Sequence, residues 1–263
     1  MNKPRIRVTQ LEAFRRLTGG DAYSYIDEED VMDCITHKFT GNDYTRIGTA
    51  FHAVVQEGGI QPLVNCGKAH PMSADERIFS RYYKVLREPR PAGWHITTGE
   101  GKDDYAVLDD RQVGVAAEYA GLYPQALHEI RMEKDYNGAT VTGCADIIDG
   151  LTIRDIKTKF SGNISDEDYR DSAQWRFYLS LFDFDEFHFD IFAFSGYLNN
   201  KYYNDVRGLD IVQRTPSIAC YRYPRMEDDN ARLVDEFMSW AELRHLVPYL
   251  TGERTLIDYT EDD

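Results

Sequence analysis

The chain has 263 residues, a formal net charge of −15, 42% hydrophobic residues, 18 Tyr and 13 Phe, enough for a substantial core in one large or two small domains and too aromatic for a disordered chain. The acidic balance argues against broad adhesion to nucleic acid or anionic membrane, though it leaves room for a local basic channel. No run reaches the roughly 18 apolar residues a membrane span needs, and Met1–Arg7 lacks the apolar core of a secretory signal, so a soluble protein of the cytoplasm is expected.

Thr9–Leu17 is predicted as a short amphipathic helix. It lies in a basic stretch (Lys3, Arg5, Arg7, Arg15 and Arg16 against Glu12) that either touches phosphate or forms a solvated face. Tyr44–Gln56 is predicted as a second helix, ended by Gly58-Gly59, with a loop over Gly58–Pro71. Ser73–Leu86 is predicted as a helix, because Ser73 and Glu76 have the spacing of a capping box. Pro89–Asp104 reads as irregular or as a short hairpin, and Asp109–Ala120 as a helix. Strands follow at about residues 128–158. Ser165-x-x-Asp168 opens a helix expected to run to about Phe182, and Glu186–Phe194, aromatic and β-branched, is a fourth strand. The polar stretch Gly196–Asn204 leads to strands near Gly208–Arg222, and Asn230–Leu246 closes the chain as an amphipathic helix. Acidic runs at Asp27–Asp30 and Glu227–Asp229 read as solvated surface.

The order helix, three strands, helix, strand predicts an α/β fold with a mixed central sheet flanked by helices. A single domain is expected over residues 1–263. Its core covers about 44–194, with an N-terminal helical segment at 1–43 and C-terminal strands and helix at 195–263. Cys34, Cys66, Cys144 and Cys220 are widely spaced with no C-x-x-C pair, which favours reduced thiols.

Two turns set the expected chemistry. Asn137-Gly138 is a strong two-residue hairpin signal. It places Tyr136 opposite Ala139 and therefore Glu129 opposite Asp146. A second turn at Asp149-Gly150 pairs Ile148 with Leu151, making Asp155 the diagonal neighbour of Asp146, with Lys157 two residues further along the same face. Like charges opposed on a sheet destabilise it, whereas a divalent cation bound through oxygen would neutralise them. The Ile156 carbonyl offers one more oxygen, and Lys157 is placed to orient water or stabilise charge on a phosphoryl group. Glu133 is the rival to Glu129, but it opposes Thr142, well along the strand from Asp146. Taken singly, His52 reads as a structural histidine four residues from Gly48 on a helix face, and Gln174 with Tyr178 as a solvated glutamine beside a core tyrosine.

Taken together, the ordered pieces Gly48-x-x-x-His52, Glu129, Gly143-x-x-Asp146, Asp155-x-Lys157 and Gln174-x-x-x-Tyr178 resemble the PD-(D/E)XK nucleases. The match is to the RecB-like branch that includes phage recombination exonucleases and exonuclease VIII, and it covers about residues 44–182. The resemblance implies metal-dependent hydrolysis of DNA phosphodiesters. It assigns His52, Asp146, Asp155 and the Ile156 carbonyl to a Mg²⁺ or Mn²⁺ ion, Glu129 to support of that site, Lys157 to the attacking water, and Gln174 and Tyr178 to DNA. Some relatives hold an iron–sulfur cluster through one upstream and three closely spaced downstream cysteines. Only Cys220 follows Cys144 here, so no cluster is expected. There is no helicase P-loop pattern, so unwinding would come from a partner. A DNA exonuclease of phage-type recombination is therefore expected, in a bacterial or phage-infected cell. DNA is the expected partner, with a single-strand annealing protein or helicase and a homo-oligomer as further expectations, and no membrane. An endonuclease of the same fold and a non-catalytic nucleic-acid-binding or assembly protein are the alternatives.

Overall fold

The computed structural model describes residues 2–19, 26–36, 41–74, 90–160, 164–200 and 202–254. The helix expected over Ser73–Leu86 lies almost wholly outside the described residues. In chain order the elements begin with β1 (Arg5–Arg7), α1 (Val8–Thr18), α2 (Glu28–Thr36), α3 (Asp43–Gln56), α4 (Ile60–Asn65) and β2 (Ala69–Met72). They continue with β3 (Gly93–Thr97), β4 (Tyr105–Asp109), α5 (Asp110–Gly121), β5 (Leu127–Tyr136), β6 (Ala139–Asp149) and β7 (Thr152–Lys159). The last are α6 (Asp166–Arg170), α7 (Gln174–Phe182), β8 (Glu186–Phe194), β9 (Ile211–Gln213), β10 (Ile218–Tyr221), α8 (Met226–Leu243) and α9 (Val247–Leu250).

The mixed α/β class is as expected. A seven-stranded sheet runs β1-β6-β7-β8-β10, with β5 also on β6 and β9 also on β8. One face packs against α1, α2, α7 and α8 through Leu11, Phe14, Ile35, Phe177, Leu179 and Phe237. The other packs against α3 and α5 through Phe51, Val54, Ala116, Tyr119, Ile147 and Phe192. The small antiparallel sheet β2-β3-β4 adds Ala69, Ile96 and Leu108 to that second core.

Several local readings need correction. The loop expected over Gly58–Pro71 holds α4 and β2, and the N-terminal segment, read as helical, begins with strand β1. The β1 backbone finds its partner 135 residues on, pairing parallel with Thr140–Thr142, so three residues suffice for a strand that no local pattern announces. Tyr136 opposes Ala139 across Asn137 (φ 40°) and Gly138 (φ 97°), as the turn chemistry dictates. The second turn is displaced by one residue. Asp149 pairs with Thr152 across Gly150-Leu151, because Gly150, at φ 59°, takes the first central position of the turn rather than the second. The single helix expected to open at Ser165-x-x-Asp168 and run to about Phe182 is two, α6 and α7, parted at residues 171–173.

The acidic runs start helices. Asp27 and Asp30 cap one another's backbone N–H at 3.0 Å ahead of α2, and Glu227–Asp229 form the first turn of α8, where the helix dipole favours negative charge. The N-terminal basic residues are paired within the chain: Lys3 with Asp135 at 2.8 Å, Arg5 with Glu133 at 2.6 Å, and Arg15 and Arg16 with Glu12.

Candidate active site

Strand β6 is longer than either neighbour on its second edge. Thr140–Thr142 pair with β1 and Ile147–Asp149 with β7, which leaves residues 143–146 without a strand partner there. Strand β7 pairs with β8 along its whole length but with β6 only as far as Arg154. The two strands therefore part at a wedge between residues 143–146 and 155–159, and backbone groups in such a wedge need partners from side chains.

Those partners are the residues singled out from sequence. The Ile156 N–H donates to Asp146 Oδ2 at 2.8 Å. The Ile156 carbonyl oxygen lies 2.9 Å from His52 Nε2. The Tyr178 hydroxyl donates to the Cys144 carbonyl at 2.9 Å. Helix α3 brings His52 this close because Gly48, one turn earlier, has no side chain: a Cβ there would meet Thr158 Oγ1 at 3.0 Å. Gly143 does the same for α7, since a Cβ would meet Leu181 Cδ1 at 2.8 Å and Tyr178 Cε1 at 3.0 Å.

With the corrected turn, Asp146 falls in line with Asp155 rather than diagonal to it, although the ladder ends one pair earlier, at Ile147 and Arg154. Asp155 is 4% exposed. Its Oδ1 accepts from Gln174 Nε2 at 2.7 Å, and its Oδ2 pairs with Lys157 Nζ at 2.7 Å. Burial, and then the Asp155 charge, push the Asp146 carboxyl up to about 6. Burial disfavours the Lys157 ammonium, but Asp155 and Asp146 outweigh it and hold the group above the ordinary lysine range. His52 Nδ1 lies 3.6 Å from Asp146 Oδ2.

Glu129 counts opposite Asp146, as Leu127–Ile148 and Ile130–Ala145 on either side require, but that pair is missing from the ladder. Its backbone has φ 54°, outside the strand region. The irregularity reverses the alternation of β6: Ala145 and Ile148 belong to one core and Ile147 to the other. Glu129 accepts from the Cys144 thiol at 3.3 Å. With His52 it lines a cleft of about 570 Å³ that also carries Lys68, Thr49, Thr97 and Glu100. Glu133 opposes Thr142 as expected and is spent on Arg5.

The donor set suits a hard cation. Asp146 and Asp155 lie on the two sides of the wedge beside the Ile156 carbonyl, and burial and then the Asp155 charge raise the Asp146 carboxyl despite the opposing charge of Lys157. Among the described residues, no three His, Cys, Asp or Glu side chains already stand together as a metal site. An ion there would draw on the Ile156 carbonyl as well, and the His52 ring would have to exchange its bond to that oxygen for the ion. Tyr178, 5% exposed, spends its hydroxyl inside the fold. Sequence reasoning overlooked Glu12, whose signal was a carboxylate on the apolar stripe of α1 beside Val8 and Leu11.

No family model matches the chain, and no curated protein sequence matches it. Among solved structures, a phage-related exonuclease from Haemophilus somnus 129PT is similar at TM-score 0.41 and 15% identity, over 98% of this chain and 97% of that one. A protein from Eubacterium rectale, described provisionally as an exonuclease, is similar at TM-score 0.46 and 11% identity, over 95% of this chain and 83% of that one. The protein named SSO0001 is similar at TM-score 0.32 and 17% identity over 48% of this chain, which spans 55% of that protein's length. These likenesses are remote, and the functional reading stands on the wedge itself.

Proposed function

We propose that this chain is a Mg²⁺- or Mn²⁺-dependent deoxyribonuclease that hydrolyses phosphodiester bonds from DNA ends. The observation that carries the reading is the wedge between β6 and β7, where Asp146 and Asp155 crowd together beside Lys157, whose ammonium pairs with Asp155 Oδ2 at 2.7 Å. In this reading Asp146, Asp155, the Ile156 carbonyl and His52 hold the ion, and Glu129 supports it from the cleft. The bound ion would polarise the phosphoryl group and acidify water. Lys157, kept cationic by the two aspartates, is a donor. It orients the attacking water and offsets charge growing on a phosphoryl oxygen rather than removing a proton. Gln174 fixes Asp155, and with Tyr178 behind it forms the wall against which the strand is held. Recombination of phage type, with an annealing protein or helicase as partner, is the proposed setting. Among the described residues no helix is long and apolar enough to cross a membrane.

End-labelled linear DNA and covalently closed circles, each with Mn²⁺ and with EDTA, test the reading. Mononucleotide release from linear DNA with circles intact is expected; nicked circles would make the enzyme an endonuclease. Lys157→Ala should abolish cutting and leave DNA binding in place. A wild-type chain that binds Mn²⁺ and DNA yet cuts neither substrate would end the enzymatic reading.

A further inference from the structure

Helices α6 and α7 are consecutive, and three side chains keep them from fusing. In a continuous helix the Ala173 N–H would donate to the Tyr169 carbonyl and the Gln174 N–H to that of Arg170. Instead the Ala173 N–H donates to Glu12 Oε2 on α1 at 2.8 Å. The Gln174 N–H donates to Ser172 Oγ at 3.1 Å, and the Arg170 carbonyl accepts from the Trp175 indole at 3.0 Å. Ser172 and Trp175 are local; Glu12 reaches in from 161 residues away. Ala173 has no side chain able to cap α7, so Glu12 supplies both the missing acceptor and a negative charge at the N-terminus of that helix.

Glu12 is placed for this. It is 9% exposed. Its Oε1 accepts from Arg15 at 3.0 Å and Arg16 at 2.8 Å, and Oε2 from Arg15 at 3.1 Å. Burial opposes its charge, but the two arginines outweigh that and hold its carboxyl below the usual range. The residue after Ala173 is Gln174, whose amide holds Asp155 at 2.7 Å, and Asp155 in turn holds Lys157 at 2.7 Å. An unbroken series of short contacts therefore runs from α1 to the wedge.

We infer that Glu12 is a positioning residue of the proposed active site: by accepting the Ala173 N–H it breaks the α6–α7 helix where Gln174 must turn toward Asp155, and so fixes the Asp155–Lys157 pair. The inference rests on the nuclease reading, and it concerns the reach of an acceptor rather than the presence of a charge. Two near-isosteric variants separate these. Glu12→Gln keeps an oxygen at full length and loses the charge; Glu12→Asp keeps the charge and withdraws the oxygen by one methylene.

The experiment measures kcat and KM on end-labelled linear DNA with Mn²⁺ for wild type, Glu12→Gln, Glu12→Asp and Glu12→Ala, well below each melting temperature. Misplacement of the Asp155–Lys157 pair should lower kcat by about 10- to 100-fold in Glu12→Asp and Glu12→Ala, with KM unchanged. Glu12→Gln should restore kcat to nearly the wild-type value. If Glu12→Ala does not fold, the ranking of Gln over Asp still decides. Glu12→Asp equal to or better than Glu12→Gln, or kcat unchanged in all variants, overturns the inference and leaves the nuclease reading intact. A wild type that cuts DNA neither with nor without a divalent ion removes the nuclease reading and this inference with it.

Discussion

Replacing Asp146 by Asn should stabilise the metal-free protein at neutral and alkaline pH. The Asn Oδ1 can still accept the Ile156 N–H now bonded to Asp146 at 2.8 Å, so the substitution removes charge with little change of shape. The folded carboxyl titrates at about 6, against an ordinary value of 3.8. At about 1.36 kcal/mol per pH unit, that rise costs about 3 kcal/mol once the group is ionised in the folded chain. Between about pH 4 and 6 the folded chain binds more protons here than the unfolded one, so this carboxyl lowers stability as pH rises through the window. Below about pH 4 both states are protonated and the cost vanishes. Urea or thermal melts in EDTA at pH 4, 6 and 8 measure it. Asp146→Asn should match wild type at pH 4 and exceed it at pH 8 by up to about 3 kcal/mol, roughly 5–10 °C in melting temperature for a chain of this size. Saturating Mn²⁺ should reverse the ranking at pH 8, because only the wild type gains the binding free energy. An Asn variant less stable than wild type at pH 8 in EDTA would refute the crowded-carboxylate reasoning.

Gly143→Ala should destabilise the fold by about 1–3 kcal/mol, because its methyl would press on Leu181, Tyr178 and Val8 from 2.8, 3.0 and 3.2 Å; denaturant midpoints check this, and loss of cutting should accompany it as Tyr178 leaves the Cys144 carbonyl. Tyr119→Phe removes the hydroxyl that donates to the fully buried Asp190 at 2.7 Å and should cost about 1–3 kcal/mol in urea melts. Arg154 and Ser217 still hold Asp190 in that variant, so Mn²⁺-dependent cutting at 25 °C should be unaffected; a fall in kcat would show the network reaches the wedge.

Much of the site was legible because its side chains and spacing are local. Asn137-Gly138 fixes one hairpin register through the φ angles it alone readily adopts, and Glu186–Phe194 forms the strand its composition predicts. The second turn was misplaced by one residue because Asp-Gly and Gly-Leu both satisfy a two-residue loop. The observed register leaves Leu151 in the turn, where it is 76% exposed, and sets Ile153 directly opposite Ile148. What stayed hidden is non-local: β1 is three residues that pair only across the fold, and the α6–α7 break depends on a carboxylate from the first helix. The wedge shows why these two kinds of information meet at one place. Where β6 and β7 part, each freed backbone group must find a partner, and Asp146, His52 and Tyr178 supply those partners. Residues that would serve chemistry are thus also the ones that hold the strands apart. A sequence displays their types and order, but the unpaired backbone that makes them converge exists only once β1 and β7 have claimed opposite ends of the same strand edge.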